Sequence, residues 1–132
     1  MPDTTPTNPR RALGAWGEDH AARQLEAGGY AIVARGWRCR YGEIDLIASQ
    51  GAALVFVEVR TRRGSARGSA EESITPAKAR RLAVLAAAYL AERERAGAPW
   101  PGPYRIDVIA ITLDRAGSIE KFNHIESAIG DS

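Results

Sequence analysis

The 132-residue chain predicts an α/β fold, a mixed β-sheet of about five strands flanked by helices. Three observations carry that expectation. Residues 42–47 and 55–60 are short apolar runs separated by Ser49-Gln50-Gly51-Ala52, which reads as the turn of a β-hairpin. Two longer segments carry helix punctuation: one stops at Gly28-Gly29, and the other opens with Thr75 as cap and Pro76 in the first turn. The resulting order, α-β-β-β-α-β-β, makes the second helix a crossover to a parallel strand.

Taken in order, residues 1–10 hold three prolines and no periodicity and read as a disordered tail. Residues 11–27 form the first helix, 30–37 a strand, and the hairpin follows. Residues 62–73, rich in Gly, Ser and Arg, read as a mobile loop. The second helix continues to about Arg95. Residues 96–103, containing Pro99-Trp100-Pro101-Gly102-Pro103, form an extended connector before strands at 104–112 and, more weakly, 119–125. One domain is expected over 11–126, with a short tail at 127–132. No repeat is visible.

No apolar run approaches the roughly 20 residues of a membrane helix, and the N-terminal stretch lacks the apolar core of a signal peptide. A single cysteine, Cys39, excludes an internal disulfide framework or a multi-cysteine zinc site. A cytoplasmic protein with no membrane partner is the expectation. The net charge of +2 is too small to argue for nucleic acid alone.

The hairpin carries the chemistry. Asp45 and Glu58 each sit among residues that should be buried, and burying an unpaired carboxylate costs several kcal/mol or forces protonation. If Gln50 and Gly51 form a two-residue turn, facing residue numbers add to 101. Asp45 and Glu58 are then diagonal neighbours about 7 Å apart or less. At a sum of 103 they face each other directly; only an even sum separates them. Either odd register lets both converge on one Mg²⁺. The same face carries Glu43, Ile47, Leu54, Phe56 and Arg60.

Arginines gather at the open end of this hairpin: Arg35, Arg38 and Arg40 before it, Arg60, Arg62, Arg63 and Arg67 after it. A positive rim around an acidic centre suits a site for phosphodiesters. A solvated surface in an arginine-rich chain is the alternative, since Lys78 and Lys121 are the only lysines among 18 basic residues. Glu18 falls on the small, apolar face of its helix, either joining the site or pairing with an arginine at the sheet margin. Lys78 shares a stripe with Leu82, Leu85 and Tyr89 in a first turn where the helix dipole disfavours a cation. A nearby carboxylate or phosphate would offset that cost; snorkelling to solvent is the other reading.

Together these segments resemble the YraN-type family of uncharacterised bacterial proteins, identified as members of the restriction-endonuclease-like superfamily. The resemblance rests on Gly14-Ala15-Trp16-Gly17-Glu18, Gly42-Glu43-Ile44-Asp45-Leu46-Ile47-Ala48 and Phe56-Val57-Glu58-Val59-Arg60-Thr61-Arg62. Lys78 and Arg105-Ile106-Asp107-Val108 add to it. It spans nearly the whole folded region. The family is similar to archaeal Holliday-junction resolvases, which cut branched DNA with Mg²⁺ or Mn²⁺. The resemblance implies a restriction-endonuclease-like fold, a metal role for Asp45 and Glu58, and an acidic helical role for Glu18. Arg60 stands where the superfamily usually has lysine. Arginine keeps its proton and cannot act as a base, yet its planar fork can neutralise charge developing on a phosphate. Drift toward arginine, replacement by Lys78, and lost catalysis are the three explanations open at this point.

The leading expectation is a Mg²⁺- or Mn²⁺-dependent endonuclease acting on DNA rather than RNA, on branched or structured substrates. Asp45, Glu58 and the Val59 carbonyl would be metal ligands, and Glu18 would orient water or hold a second ion. Arg60 and Lys78 would stabilise charge. Arg38, Arg40, Arg62, Arg63 and Arg67 would bind the backbone. Two sites for two strands would suit a homodimer. The rivals are a non-catalytic nucleic-acid-binding module of the same fold and an interaction protein whose acids pair with Arg60 and Arg105. His20 and His124 lack partners at metal-ligand spacing. Residues 65–69 lack the Gly-Lys-Ser/Thr of a phosphate-binding loop. A structural pair with Arg105 accounts for Asp107; Trp16, Trp37 and Trp100 could stack on bases, with core or hinge packing as the default.

Overall fold

The computed structural model describes residues 8–64 and 68–129. It contains α1 (Pro9–Ala27), β1 (Ala31–Cys39), β2 (Gly42–Gln50), β3 (Ala53–Arg63), a 3₁₀ turn (Glu71–Ser73), α2 (Pro76–Arg95), β4 (Tyr104–Leu113) and β5 (Ile119–Ile129). The five strands lie side by side in chain order. Neighbours are antiparallel except β3 and β4, which run parallel because α2 crosses between them.

One helix covers each face of the sheet. Ala21, Ala22 and Leu25 of α1 pack on Leu46, Ala48, Val55, Val57, Ile109 and Ile111. Leu82, Leu85, Ala86 and Tyr89 of α2 pack on Ile44, Ile47, Leu54, Phe56 and Ile106. Covered on both sides, β3 and β4 read as nearly continuous apolar runs, as central strands of such sheets do. The edge strand β1 alternates exposed and half-buried instead.

Local chemistry sets the ends. The Asn8 side chain accepts the Arg10 N–H at 2.9 Å, and Pro9 occupies the first helical position. Pro9 and Arg10 therefore belong to α1, not to the tail that composition assigned them. Thr75 Oγ1 caps α2 by accepting the Lys78 N–H at 3.2 Å. The hairpin turn is Gly51-Ala52, and facing numbers add to 103, as in Leu46 with Val57 and Gln50 with Ala53. That corrects the Gln50-Gly51 turn. A two-residue hairpin turn needs positive φ at its first central position, which Gly51 supplies at 57°.

Strand β5 runs on to Ile129, past the boundary at 126, because the Ser127 N–H donates to the buried Asp107 carboxylate at 2.9 Å. Within residues 62–73, the last two residues of β3 and the 3₁₀ turn are regular. Gly17 brings α1 against β3, where an added Cβ would run into Thr61 Oγ1. Trp100 ties the connector down through its Nε1–H, donated to Ala52 O at 3.2 Å and Pro103 O at 3.1 Å. Trp37 stacks edge-on to Tyr89. No described helix is long and apolar enough to cross a membrane.

Candidate active site

A regular strand keeps residues two apart on one face, yet Ile44 packs in the α2-side core and Leu46 in the α1-side core. The face of β2 therefore switches at Asp45, where its ladder to β3 also ends. The single face expected to hold Glu43 together with Ile47, Leu54, Phe56 and Arg60 is split there. Glu43 and Asp45 join Glu18 of α1, with one carboxylate oxygen from each lying within 4.8 Å of the others. Glu58 lies between Val57 and Val59, both packed under α1, so it points to the α2 side.

Asp45 occupies the gap between the two sides. Its Oδ2 accepts the Val59 N–H at 2.8 Å. In an extended strand the N–H and C=O of one residue leave on the same edge, so the Val59 carbonyl is turned toward the same gap. The expected meeting of Asp45 and Glu58 thus occurs, through a break in β2 that alternation alone does not encode.

Electrostatics register the crowding. Glu58 is 7% exposed and its pKa is pushed up to about 8, chiefly by burial, then by the charge and hydrogen bonding of Asp45. Arg60 and Arg81 oppose the rise without cancelling it. Glu18 is pushed up to about 7, again by burial first, then by Asp45 and Glu43, with Arg35 opposing. Arg35 itself pairs with Asp19 at 3.4 Å. Three carboxylates meeting with too little positive charge are the donor set of a hard divalent cation, which prefers oxygen ligands. Glu18, Glu43 and Asp45 could hold one, and Glu58 adjoins that group through Asp45. Glu43 was not singled out as a ligand, although a carboxylate two residues from Asp45 was a visible signal.

The cations take different places. Arg60 Nε lies 3.3 Å from Glu58 Oε2, out of line for a hydrogen bond. Lys78 Nζ donates to Ser73 O at 3.0 Å. Burial lowers its pKa, and so, to a lesser degree, does the neighbouring Arg60, while Glu58 acts in the opposite sense. Lys78 therefore sits in the field of the site, anchored rather than snorkelling. Arg81, on the same helix, was missed.

Arg38 pairs with Glu43 at 2.9 Å, at the margin of the acidic cluster. Arg40 does not join: it stacks over Tyr41, 4.8 Å from the ring centroid, and lines a separate groove with Trp37, Cys39 and Val84. Arg40 lies in the turn beyond Cys39, the last residue of β1. Arg62 and Arg63 line a cleft of about 680 Å³ with Val59, Arg60, Leu13 and Arg10. Arg67 lies outside the described residues.

Asp107 is fully buried, with Arg105 Nε at 3.0 Å and His124 Nε2 at 2.8 Å. Burial, the largest single influence, pushes its pKa up. Hydrogen bonds from His124, the Ser127 N–H and Arg105 together outweigh it and hold the carboxyl below its ordinary range. This is the structural pair that the sequence indicated, with His124 and Tyr30 added to it.

The profile of the uncharacterised protein family UPF0102 matches residues 17–111, a span that contains Glu18, Asp45, Glu58, Arg60, Lys78 and Asp107. A UPF0102 protein of Herpetosiphon aurantiacus is 59% identical over 106 residues, covering 80% of this chain and 86% of that protein. One of Roseiflexus castenholzii is 48% identical over 126 residues, covering 96% and 99%. One of Chloroflexus aurantiacus is 49% identical over 123 residues, covering 93% and 97%. The chain belongs to the uncharacterised protein family UPF0102, the YraN-like family whose motifs it carries.

Proposed function

We propose that the protein is a metal-dependent endonuclease that hydrolyses phosphodiester bonds in DNA, on branched or otherwise structured substrates. One observation carries the reading: carboxylates from α1, β2 and β3 meet around Asp45, two of them with pKa values raised by burial and mutual charge, beside an arginine-lined cleft. Asp45, Glu58 and the Val59 carbonyl are the proposed ligands of Mg²⁺ or Mn²⁺. When bound, such an ion lowers the pKa of a water and polarises the scissile phosphate. Glu18, with Glu43 beside it, orients water or shares a second ion. Arg60, which cannot be a base, and the anchored Lys78 offset negative charge developing on the phosphate. Arg62 and Arg63 grip the backbone without reading bases. A homodimer would bring two such sites to two strands.

The position of Arg60 favours a second reading, a nucleic-acid-binding module without catalysis, because no lysine follows Glu58 at the usual place. Incubation of branched, nicked and plain DNA with Mn²⁺ separates the two. The endonuclease reading expects cleavage that Asp45→Asn or Glu58→Gln abolishes, with Arg60→Lys retaining or raising it. DNA binding without cleavage across the panel identifies the binding module. Absence of binding to DNA or RNA at low salt removes both.

A further inference from the structure

The arginine cleft continues past the candidate active site into a recess of about 340 Å³, lined by Pro9, Ala12, Leu13, Trp16, Arg63, Leu113 and Gly117. Leu13 and Arg63 line both spaces, so they adjoin. Trp16 is 38% exposed. Its indole is stacked on His20, with centroids 5.3 Å apart and planes within 9° of parallel. His20 is in turn held edge-on by Phe122 of β5 at 5.7 Å.

Helical spacing explains the geometry. His20 lies one turn C-terminal to Trp16 and covers one side of it. One turn N-terminal, Ala12 at four residues' distance leaves space beside the indole, and Leu13 at three residues' distance lines the same recess. The indole is therefore backed by His20 on one face while Trp16 also lines the recess, with Arg63 alongside.

We propose that this recess is a stacking platform for an unpaired nucleotide, and that the substrate class is DNA with a single-stranded arm rather than continuous duplex. The proposal rests on the endonuclease reading for its nucleic-acid ligand. The occupant follows from charge and shape. Arg10, Arg60, Arg62 and Arg63 along the cleft complement a phosphate backbone. An aromatic face beside a basic groove is how single strands are held without sequence readout. A base stacked in a duplex has no free face to offer Trp16. Stacking on His20 pre-orders the indole, which lowers the side-chain entropy lost when a base stacks on it.

The test compares a duplex bearing an unpaired arm with the blunt duplex, both in EDTA so that binding is read without cleavage. A fluorescent adenine analogue in the arm reports stacking. Wild-type protein is expected to prefer the armed probe and quench the analogue. Trp16→Ala should weaken binding to the armed probe about ten-fold, lose the quenching, and bind the blunt duplex unchanged. Trp16→Phe should retain most of the preference. His20→Ala, which removes the backing and leaves the platform, should give a smaller loss and serves if Trp16→Ala folds poorly. Equal loss on both probes, or none on either, overturns the platform while leaving the endonuclease reading intact. Failure of wild-type protein to bind any DNA overturns the underlying reading as well.

Discussion

Glu58→Gln tests the centre through stability, independently of catalysis. In the metal-free protein the Glu58 carboxyl holds its proton up to about pH 8, against an ordinary value of 4.5. The folded state thus binds this proton more tightly than the unfolded chain. The associated stability is fully present below about 4.5 and is lost as pH rises through about 8. At 1.36 kcal/mol per pKa unit, that difference sets a ceiling of about 5 kcal/mol. Glu58 shares its surroundings with the neighbouring Asp45 charge, so about half the ceiling is a realistic working figure. For a domain of this size 1 kcal/mol moves Tm by about 4 °C, so wild-type protein in EDTA should melt about 10 °C lower at high than at low pH. Glutamine is neutral throughout and imitates the protonated acid. Glu58→Gln should match wild type near pH 5, as an order-of-magnitude choice of conditions, and exceed it where Glu58 ionises. Loss of the Arg60 contact subtracts little, because that pair is not aligned as a hydrogen bond. Mn²⁺ should reverse the order at high pH, since an ion at about 100 times its Kd stabilises the native state by about 2.7 kcal/mol. Thermal melts of both proteins over pH, with EDTA or Mn²⁺, read all of this. A wild-type Tm independent of pH, or equal Mn²⁺ shifts in the two proteins, would refute the reasoning.

Gly17→Ala should destabilise by about 1–3 kcal/mol, because the new Cβ meets Thr61 Oγ1 and pushes α1 off β3. Thr61→Ala in the same chain should recover much of that loss in a denaturant titration; if it does not, the contact is misassigned. Asp107→Ala should cost about 3–5 kcal/mol, since Arg105 and His124 lose the buried carboxylate that pairs them. Its pH dependence has the opposite sign to that of Glu58. A depressed carboxyl contributes stability above its ordinary pKa and loses it as pH falls through the folded value, so wild type and Asp107→Ala should converge in acid. Divergence there would show that Asp107 acts by some other means.

Much of the molecule was legible because its signals are local. Caps at Thr75 and Pro76 and glycines at Gly28-Gly29 mark helix ends by residue-scale hydrogen bonding and φ preferences, and the structure places the ends within two residues. The odd register of the hairpin followed from side-chain alternation, whereas the meeting of Asp45 and Glu58 needed the break in β2 as well. The choice between the two odd registers turned on which residue takes positive φ, and Gly51 decides it. Element boundaries at Pro9 and Ile129 were missed because the hydrogen bonds that extend them come from a single cap and from a strand some twenty residues away.

Local chemistry in the chain was enough to name the carboxylates, the departure at Arg60 and the order of the sheet. How those groups share charge was settled only by packing. Two cores of different content pull Ile44 and Leu46 to opposite sides, and the break at Asp45 carries it and Glu43 to Glu18 while Glu58 stays toward α2. The same three-dimensional frame separates Arg40 from the site, anchors Lys78 to Ser73, and backs Trp16 with His20. Such outcomes depend on contacts between residues far apart in sequence, whose relative positions no local periodicity specifies.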